Sequence, residues 1–235
     1  MGYNRRMMGA RVIGAVQGSL LDFGEEARPG PLGSSVQRTV LAHGAWIDVR
    51  PGWIAGADAL FARLIQAVPW HAEKRQMYDR IVDVPRLLSF CPEGTSLPDP
   101  VLDEARQALD AHYGDELGEP FRTAGLCLYR DGRDSVAWHG DTTGRGRTEN
   151  TMVAIVSVGA PRTLLLRPRA DGQALRHEAL HHEALHHEAL RHDLGHGDLL
   201  VMGGSCQRTW EHAIPKTARS AGPRISIQFR PRGVR

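Results

Sequence analysis

The sequence has few cysteines and no paired ones. Cys91, Cys127 and Cys206 are widely spaced, odd in number and free of any C-x-x-C motif. That pattern excludes a disulfide framework or a zinc knuckle and suits a reducing cytoplasm. Net charge is equally slight: 29 Lys and Arg against 27 Asp and Glu leave +2, too little to imply a polyanionic partner by itself. No small-residue cleavage site follows the mildly apolar stretch from Met7 to Val16, which Arg11 interrupts, so a signal peptide is not expected. Arg6 stands where N-myristoylation needs Ser or Thr. Acidic residues cease after Glu211, while Lys216, Arg219, Arg224, Arg230, Arg232 and Arg235 follow; charge alone reads this run as a solvated basic tail.

What the chain does have is enough apolar content to bury a core: 41% hydrophobic over 235 residues, the size of one domain with appendages. Residues 24–38 are rich in Gly, Pro and Ser, so 1–36 read as a flexible leader and 37–235 as a single domain. A first strand is expected over Thr39–Val49. Leu60, Phe61, Leu64, Ile65 and Val68 recur at helical spacing after Asp58, a plausible N-cap. A second helix should follow Pro100, capped by Asp99, with a stripe of Val101, Ala105, Leu109 and Tyr113. These elements fill a helical part, 37–123.

Beyond it, 124–235 read as a β-core of short apolar runs separated by Gly, Pro and Asp: 125–129, 135–139, 151–158, 162–168, 198–202, 208–214 and 223–230. Strands at this spacing suggest a sandwich or jelly-roll, and helices preceding strands give an α+β class with helices outside the β-core. One internal repeat interrupts it. Arg176–Gly195 reads RHEAL, HHEAL, HHEAL, RHDLG and holds six of the twelve histidines. A period of five matches neither helix nor strand, so the segment reads as an insertion in a hairpin loop. His177 and His181, or His182 and His186, would sit a turn apart if it were helical, which leaves open a non-enzymatic metal-binding function.

Chemistry concentrates in three segments. In SVAWHGD, His139 and Asp141 are two residues apart, and a strand would project both from one face. In GGSCQRTWEHAIPK, His212 follows a Gly-Gly turn in another expected strand. Two imidazoles and one carboxylate match the facial arrangement that holds Fe(II) and leaves positions open for a 2-oxo acid and dioxygen. In GPRISIQFRPR, alternation puts Ile225, Ile227 and Phe229 on one face and Arg224, Ser226, Gln228 and Arg230 on the other. Guanidinium forks suit the carboxylates of such an acid. By the same parity Cys127 and Tyr129 share a face, and the Tyr129 hydroxyl can donate to a carboxylate.

Taken together, LYRDGRDSVAWHGD, LLVMGGSCQRTWEHAIPK and GPRISIQFR resemble the AlkB family of Fe(II) and 2-oxoglutarate dioxygenases, in order and spacing across 125–235. The segment from Gln37 to Phe90, with QMYDRIVDVPRLLSF, looks like that family's nucleotide-recognition region. The resemblance implies a double-stranded β-helix, with iron at His139, Asp141 and His212. It places 2-oxoglutarate at Tyr129, Arg224 and Arg230 and uses O2 as oxidant, so these three ligands and Arg230 form the catalytic set. It also implies hydroxylation of an N-alkyl group on a damaged base in DNA or RNA, with the base flipped out or single-stranded.

On that reading Trp138, Tyr78, Met77 and Thr143 are candidate substrate contacts, and Arg130, Arg133, Arg145 and Arg147 candidate phosphate contacts. Cys127 and Ser226 stand where the family often carries Asn, and Thr143 where many relatives carry an acid. The protein is expected to be a cytoplasmic monomer with no membrane association and no obligate protein partner. A protein side chain or modified tRNA is the alternative substrate.

Overall fold

The computed structural model describes residues 26–77, 80–169, 189–219 and 221–234. Its frame is two facing β-sheets. The larger runs, in spatial order, β2 (Gln37–Val40), β3 (Ala45–Arg50), β12 (Asp198–Gly204), β9 (Val153–Gly159), β14 (Arg224–Arg230), β7 (Thr123–Tyr129), β6 (Arg80–Cys91) and β5 (His71–Met77). The smaller runs β11 (Leu190–Leu194), β10 (Arg162–Pro168), β13 (Trp210–Ile214) and β8 (Val136–His139). All strand pairs in these two sheets are antiparallel. This is the expected α+β jelly-roll.

Strand alternation splits the core into two layers. Ile225, Ile227 and Phe229 of β14, Leu126 of β7 and Val156 of β9 point outward into a cluster shared with helices α1 (Ala57–Ala67) and α2 (Pro100–Leu117). Tyr129, Ile155, Leu200 and Met202 point inward and meet Leu164, Leu166 and Ile214 of the smaller sheet. Each inward strand position therefore has two fates, packed core or site wall. In α2 the Asp99 carboxylate accepts from the Val101 amide at 3.0 Å, and Val101, Ala105, Leu109 and Tyr113 are all buried. The cap and the stripe act as expected, and burial of that stripe holds the helix on the sheet.

The structure differs from expectation in four places. Thr39–Val49 is not one strand: β2 and β3 form a hairpin around Ala42–Gly44, where His43 adopts φ 63° and reverses the chain. Helix α1 starts two residues earlier than an N-cap at Asp58 implies, its N-cap being Gly56 in the left-handed region at φ 61°. Residues expected in a flexible leader are packed, since β1 (Arg28–Pro29) pairs with β4 (Ile54–Ala55) and Ala27 and Leu32 are buried. The hairpin β5–β6 replaces what sequence left unassigned.

Most of the pentad repeat lies outside the described residues. Its residues Leu190–Leu194 form β11, antiparallel to β10 from Arg162↔Leu194 to Leu166↔Leu190, so this last part of the repeat is itself a strand of a hairpin and not part of its loop.

Candidate active site

His139 ends β8 and pairs in register with His212 of β13, which brings the two imidazoles to 4.2 Å between ring centres. Asp141 lies past the strand end, so a turn and not strand parity brings it round. Gly140 makes that turn, and a side chain there would strike the Gln207 carbonyl. The Gln207 side chain fixes the far side of the turn, its Oε1 accepting from the Asp141 amide at 2.9 Å. One ligand atom from each of His139, Asp141 and His212 then lies within 4.8 Å of the others.

Protonation suits a metal. His139 Nδ1 is 2.9 Å from the Ala137 carbonyl; a neutral ring must donate there, which leaves Nε2 with a free lone pair. Burial, and then the neighbouring His139, pushes His212 down to about 3, and burial lowers His139 as well. Burial alone would raise the Asp141 carboxyl, but the charge of Arg230, with His212 and His139, brings it down to about 2. Two neutral imidazoles and an ionised carboxylate are the donor set a hard-to-borderline divalent cation takes.

A pocket leads from these residues between the sheets, lined among others by Tyr129, Arg224, Arg230, Cys127 and Ser226. At its far end Arg224 is 1% exposed. Its Nε donates to Ser157 Oγ at 2.8 Å, while Nη1 is buried without a partner. A buried, unpaired guanidinium donor costs of order 1–3 kcal/mol or more, and a carboxylate entering the pocket would satisfy it. Burial pushes the adjacent Tyr129 up to about 12, so its hydroxyl stays a donor. The pocket thus fits a dicarboxylate at one end and a divalent metal at the other.

Residues 92–230 match the model of the 2OG-Fe(II) oxygenase superfamily. Human alpha-ketoglutarate-dependent dioxygenase alkB homolog 3 is 30% identical over 218 residues, spanning 86% of this chain and 70% of that protein. The chain belongs to the AlkB family of Fe(II) and 2-oxoglutarate dioxygenases. The DNA oxidative demethylase ALKBH2 of Arabidopsis thaliana is 34% identical over 134 residues, 53% of this chain and 42% of that one. In fold, this AlkB-family chain is similar to the solved structure of OsALKBH1, with a TM-score of 0.54 at 14% identity, covering 83% and 100% of the two chains. Family membership makes the protein an Fe(II) and 2-oxoglutarate-dependent dioxygenase using O2.

Within this AlkB-family site the expected residues divide. Arg230 lines the pocket, but its Nε pairs with Asp141 Oδ2 at 2.6 Å, so in this structure it braces a metal-side carboxylate and not the far end of the cavity. Gly125 lets it pass, since a Cβ there would lie 2.9 Å from Arg230 Nη1 and 3.1 Å from Gln228 Oε1. Cys127 and Ser226 both engage Gln228: Cys127 Sγ donates to its Oε1 at 3.8 Å and Ser226 Oγ accepts from its Nε2 at 2.6 Å.

Trp138 falls on the other face of β8 from His139 and stacks under the Arg167 guanidinium at 4.2 Å; it does not line the pocket. Thr143 is exposed on the loop after Asp141. Tyr78 and the side chain of Met77 lie outside the described residues. Arg130, Arg133 and Arg145 are bonded to Asp134, Asp131 and Glu149, so they offer less to a phosphate than their sequence positions suggest.

Sequence reasoning missed three residues. Gln228 was legible from β14 parity but given no role. Arg86 lines the pocket from β6, a strand that Pro85 and its charged neighbours disguise. Gln207 sits in the single helical turn Cys206–Thr209, where no periodicity marks it.

Proposed function

We propose that this protein removes N-alkyl groups from bases of DNA or RNA, reversing alkylation damage directly. The observation that carries the reading is the cluster of His139, Asp141 and His212 at one end of a pocket whose other end holds the unpaired guanidinium of Arg224. Kinship with the human alkB homolog 3 and with proteins named DNA oxidative demethylases supports nucleic acid as the substrate.

In this reading His139 Nε2, His212 and the Asp141 carboxylate hold the iron. Arg224 and Tyr129 receive the distal carboxylate of 2-oxoglutarate; Arg230 holds Asp141 and closes the near end, and Cys127, Ser226 and Gln228 form the wall between. Iron with 2-oxoglutarate and O2 supplies an oxidant able to hydroxylate an N-alkyl carbon, after which the hydroxylated group leaves as an aldehyde. The chain's own work is positional. Buried imidazoles kept neutral offer lone pairs, Gln207 fixes the Asp141 turn, and the apolar walls of Ile155, Leu164 and Ile214 exclude water from the reacting carbon.

The catalytic unit comprises residues 37–235 with the packed segment 26–36 added to it, the repeat at 176–195 being an insertion. Three free cysteines fit a cytoplasmic monomer. Among the described residues no helix is long and apolar enough to cross a membrane. Turnover of alkylated single- and double-stranded oligonucleotides, followed by mass spectrometry, tests the reading. Release of formaldehyde with restoration of the base supports it. Unchanged oligonucleotides alongside peptide-dependent 2-oxoglutarate consumption would replace it with a protein substrate.

A further inference from the structure

Among the described residues, Arg162 is the most buried arginine after Arg224, 3% exposed against 1%. It opens β10, paired with Leu194 of β11. Its guanidinium donates to three backbone carbonyls: Nη1 to Asp131 at 3.1 Å, and Nη2 to Asp134 and to Pro215 at 2.8 Å each. The carboxylates of those two aspartates are turned to Arg133 and Arg130, so among the described residues no carboxylate pairs with Arg162. Burying a cation against carbonyl dipoles alone is costly, and such a place favours an incoming anion. The three carbonyls also locate the residue. Asp131 and Asp134 lie in the loop from Tyr129, at the end of β7, to β8, the strand of His139; Pro215 follows β13, the strand of His212. The same two segments bond to each other, the Thr217 amide donating to the Gly132 carbonyl at 2.8 Å. Arg162 therefore ties down both histidine strands at their ends and the loop that leaves Tyr129.

Its remaining neighbour is Tyr129. The centre of that ring lies 5.5 Å from the guanidinium carbon of Arg162 and 5.2 Å from that of Arg224. Two guanidinium groups thus share one phenol. A cation within about 6 Å of an aromatic ring is attracted to its face, which holds the ring in place, and positive charge beside a phenol favours donation of its proton. The two arginines differ in what they face. Arg224 lines the co-substrate pocket with Tyr129, whereas Arg162 lines a separate cleft with Arg191, Lys216 and Arg219. Arg162 therefore acts on the pocket through the tyrosine and through its charge. With Arg224 it gives the far end two positive charges, in surroundings where burial leaves charge poorly screened. A 2-oxo acid with a distal carboxylate brings a negative charge there. One that ends in a methyl group brings none and leaves both cations unmatched.

We infer that Arg162 is a positioning residue for the co-substrate: it fixes the Tyr129 ring and lends a second positive charge to the far end of the pocket, so that a 2-oxo acid with a distal carboxylate is taken over one without. This rests on the placing of the distal carboxylate at Arg224 and Tyr129 proposed above. The guanidinium suits the task because its planar fork bonds several carbonyls while its face stays free to lie against a ring.

The test compares 2-oxoglutarate with 2-oxopentanoate, an acid of the same chain length that ends in a methyl group. Binding of each to the iron-loaded, oxygen-free enzyme is measured by isothermal titration. Wild type should bind 2-oxoglutarate more tightly by well over about tenfold. Arg162→Gln should weaken 2-oxoglutarate by about tenfold and 2-oxopentanoate by less than about twofold, a split that a loss of structure alone would not produce. Arg162→Lys, whose ammonium cannot both lie on the ring and reach three carbonyls, should weaken 2-oxoglutarate alone by about threefold. That variant decides the question if Arg162→Gln does not fold. An equal loss for both acids, or no loss, overturns the inference in either variant while leaving the distal carboxylate at Arg224 and Tyr129. If wild type itself binds the two acids alike, the placing of the distal carboxylate fails first and takes this inference with it.

Discussion

Arg230 braces Asp141: the arginine Nε lies 2.6 Å from Oδ2 of the carboxylate, with 15% and 6% of the two side chains exposed. A contact this short between largely buried opposite charges orients the carboxylate and keeps it ionised. It also ties the end of β14 to the turn after β8, two segments far apart in the chain.

Arg230→Gln should therefore damage both fold and catalysis. Removing one partner of a buried ion pair costs roughly 3–5 kcal/mol, discounted toward the low end by the residual exposure of Arg230. Urea denaturation should show that loss, and 2-oxoglutarate turnover should fall at least about 100-fold. A variant of wild-type stability and rate would remove Arg230 from the site.

Gly125→Ala probes the same arginine without touching its charge. The added methyl meets the ends of two flexible side chains, Arg230 and Gln228, so thermal stability should drop by no more than about 1 kcal/mol. The KM for 2-oxoglutarate should rise several-fold as the guanidinium is displaced. Steady-state titration of the co-substrate checks this, and an unchanged KM would show that Arg230 does not need the space.

Tyr129→Phe removes a hydroxyl that burial keeps protonated, its pKa being pushed up to about 12. A hydrogen bond to a charged group is worth about 1.5–3 kcal/mol, so 2-oxoglutarate affinity should fall by about tenfold or more. The effect should be flat across neutral pH, because the donor does not titrate there. Isothermal titration with the co-substrate measures both points.

Acid should destabilise the metal-free protein through His212. Its pKa falls from 6.5 to about 3 because of burial first and His139 second. Between those values the unfolded chain binds a proton that the folded chain refuses, so stability is lost as pH falls below about 6.5. The slope is roughly 1.4 kcal/mol per pH unit for that group, and His139 adds in the same direction. Urea midpoints across this range should show it, and His212→Asn should flatten the slope. A slope that His212→Asn leaves intact would assign the acid sensitivity elsewhere.

The β-core was legible because its strands alternate cleanly. Parity in GPRISIQFR placed Arg224, Ser226, Gln228 and Arg230 on one face, and they do line one pocket. The same rule read on β8 separates Trp138 from His139, and Trp138 stacks under Arg167 on the face away from the pocket. Where alternation is weak, the sequence misled. β5 is a charged edge strand and β6, paired between it and β7, carries Pro85 in its middle, which depresses every strand signal, and with them went Arg86. Gly56 replaced Asp58 as helix cap because a left-handed glycine can end the preceding β4 and open α1 in one step. Gln207 was invisible because its role depends on a tertiary contact with Asp141.

The most direct measurement is mass spectrometry of a panel of N-methylated oligonucleotides, including 3-methylthymidine and 3-methylcytidine, after incubation with iron, 2-oxoglutarate and O2. Wild type should return at least one of them to the unmodified base with matching formaldehyde, and His212→Ala should bind no iron and leave every one unchanged. Deleting residues 176–195 should leave iron binding and turnover in place. An iron-loaded wild type that consumes 2-oxoglutarate yet leaves every methylated base untouched, or a His212→Ala enzyme that still demethylates, would contradict the assignment of this site.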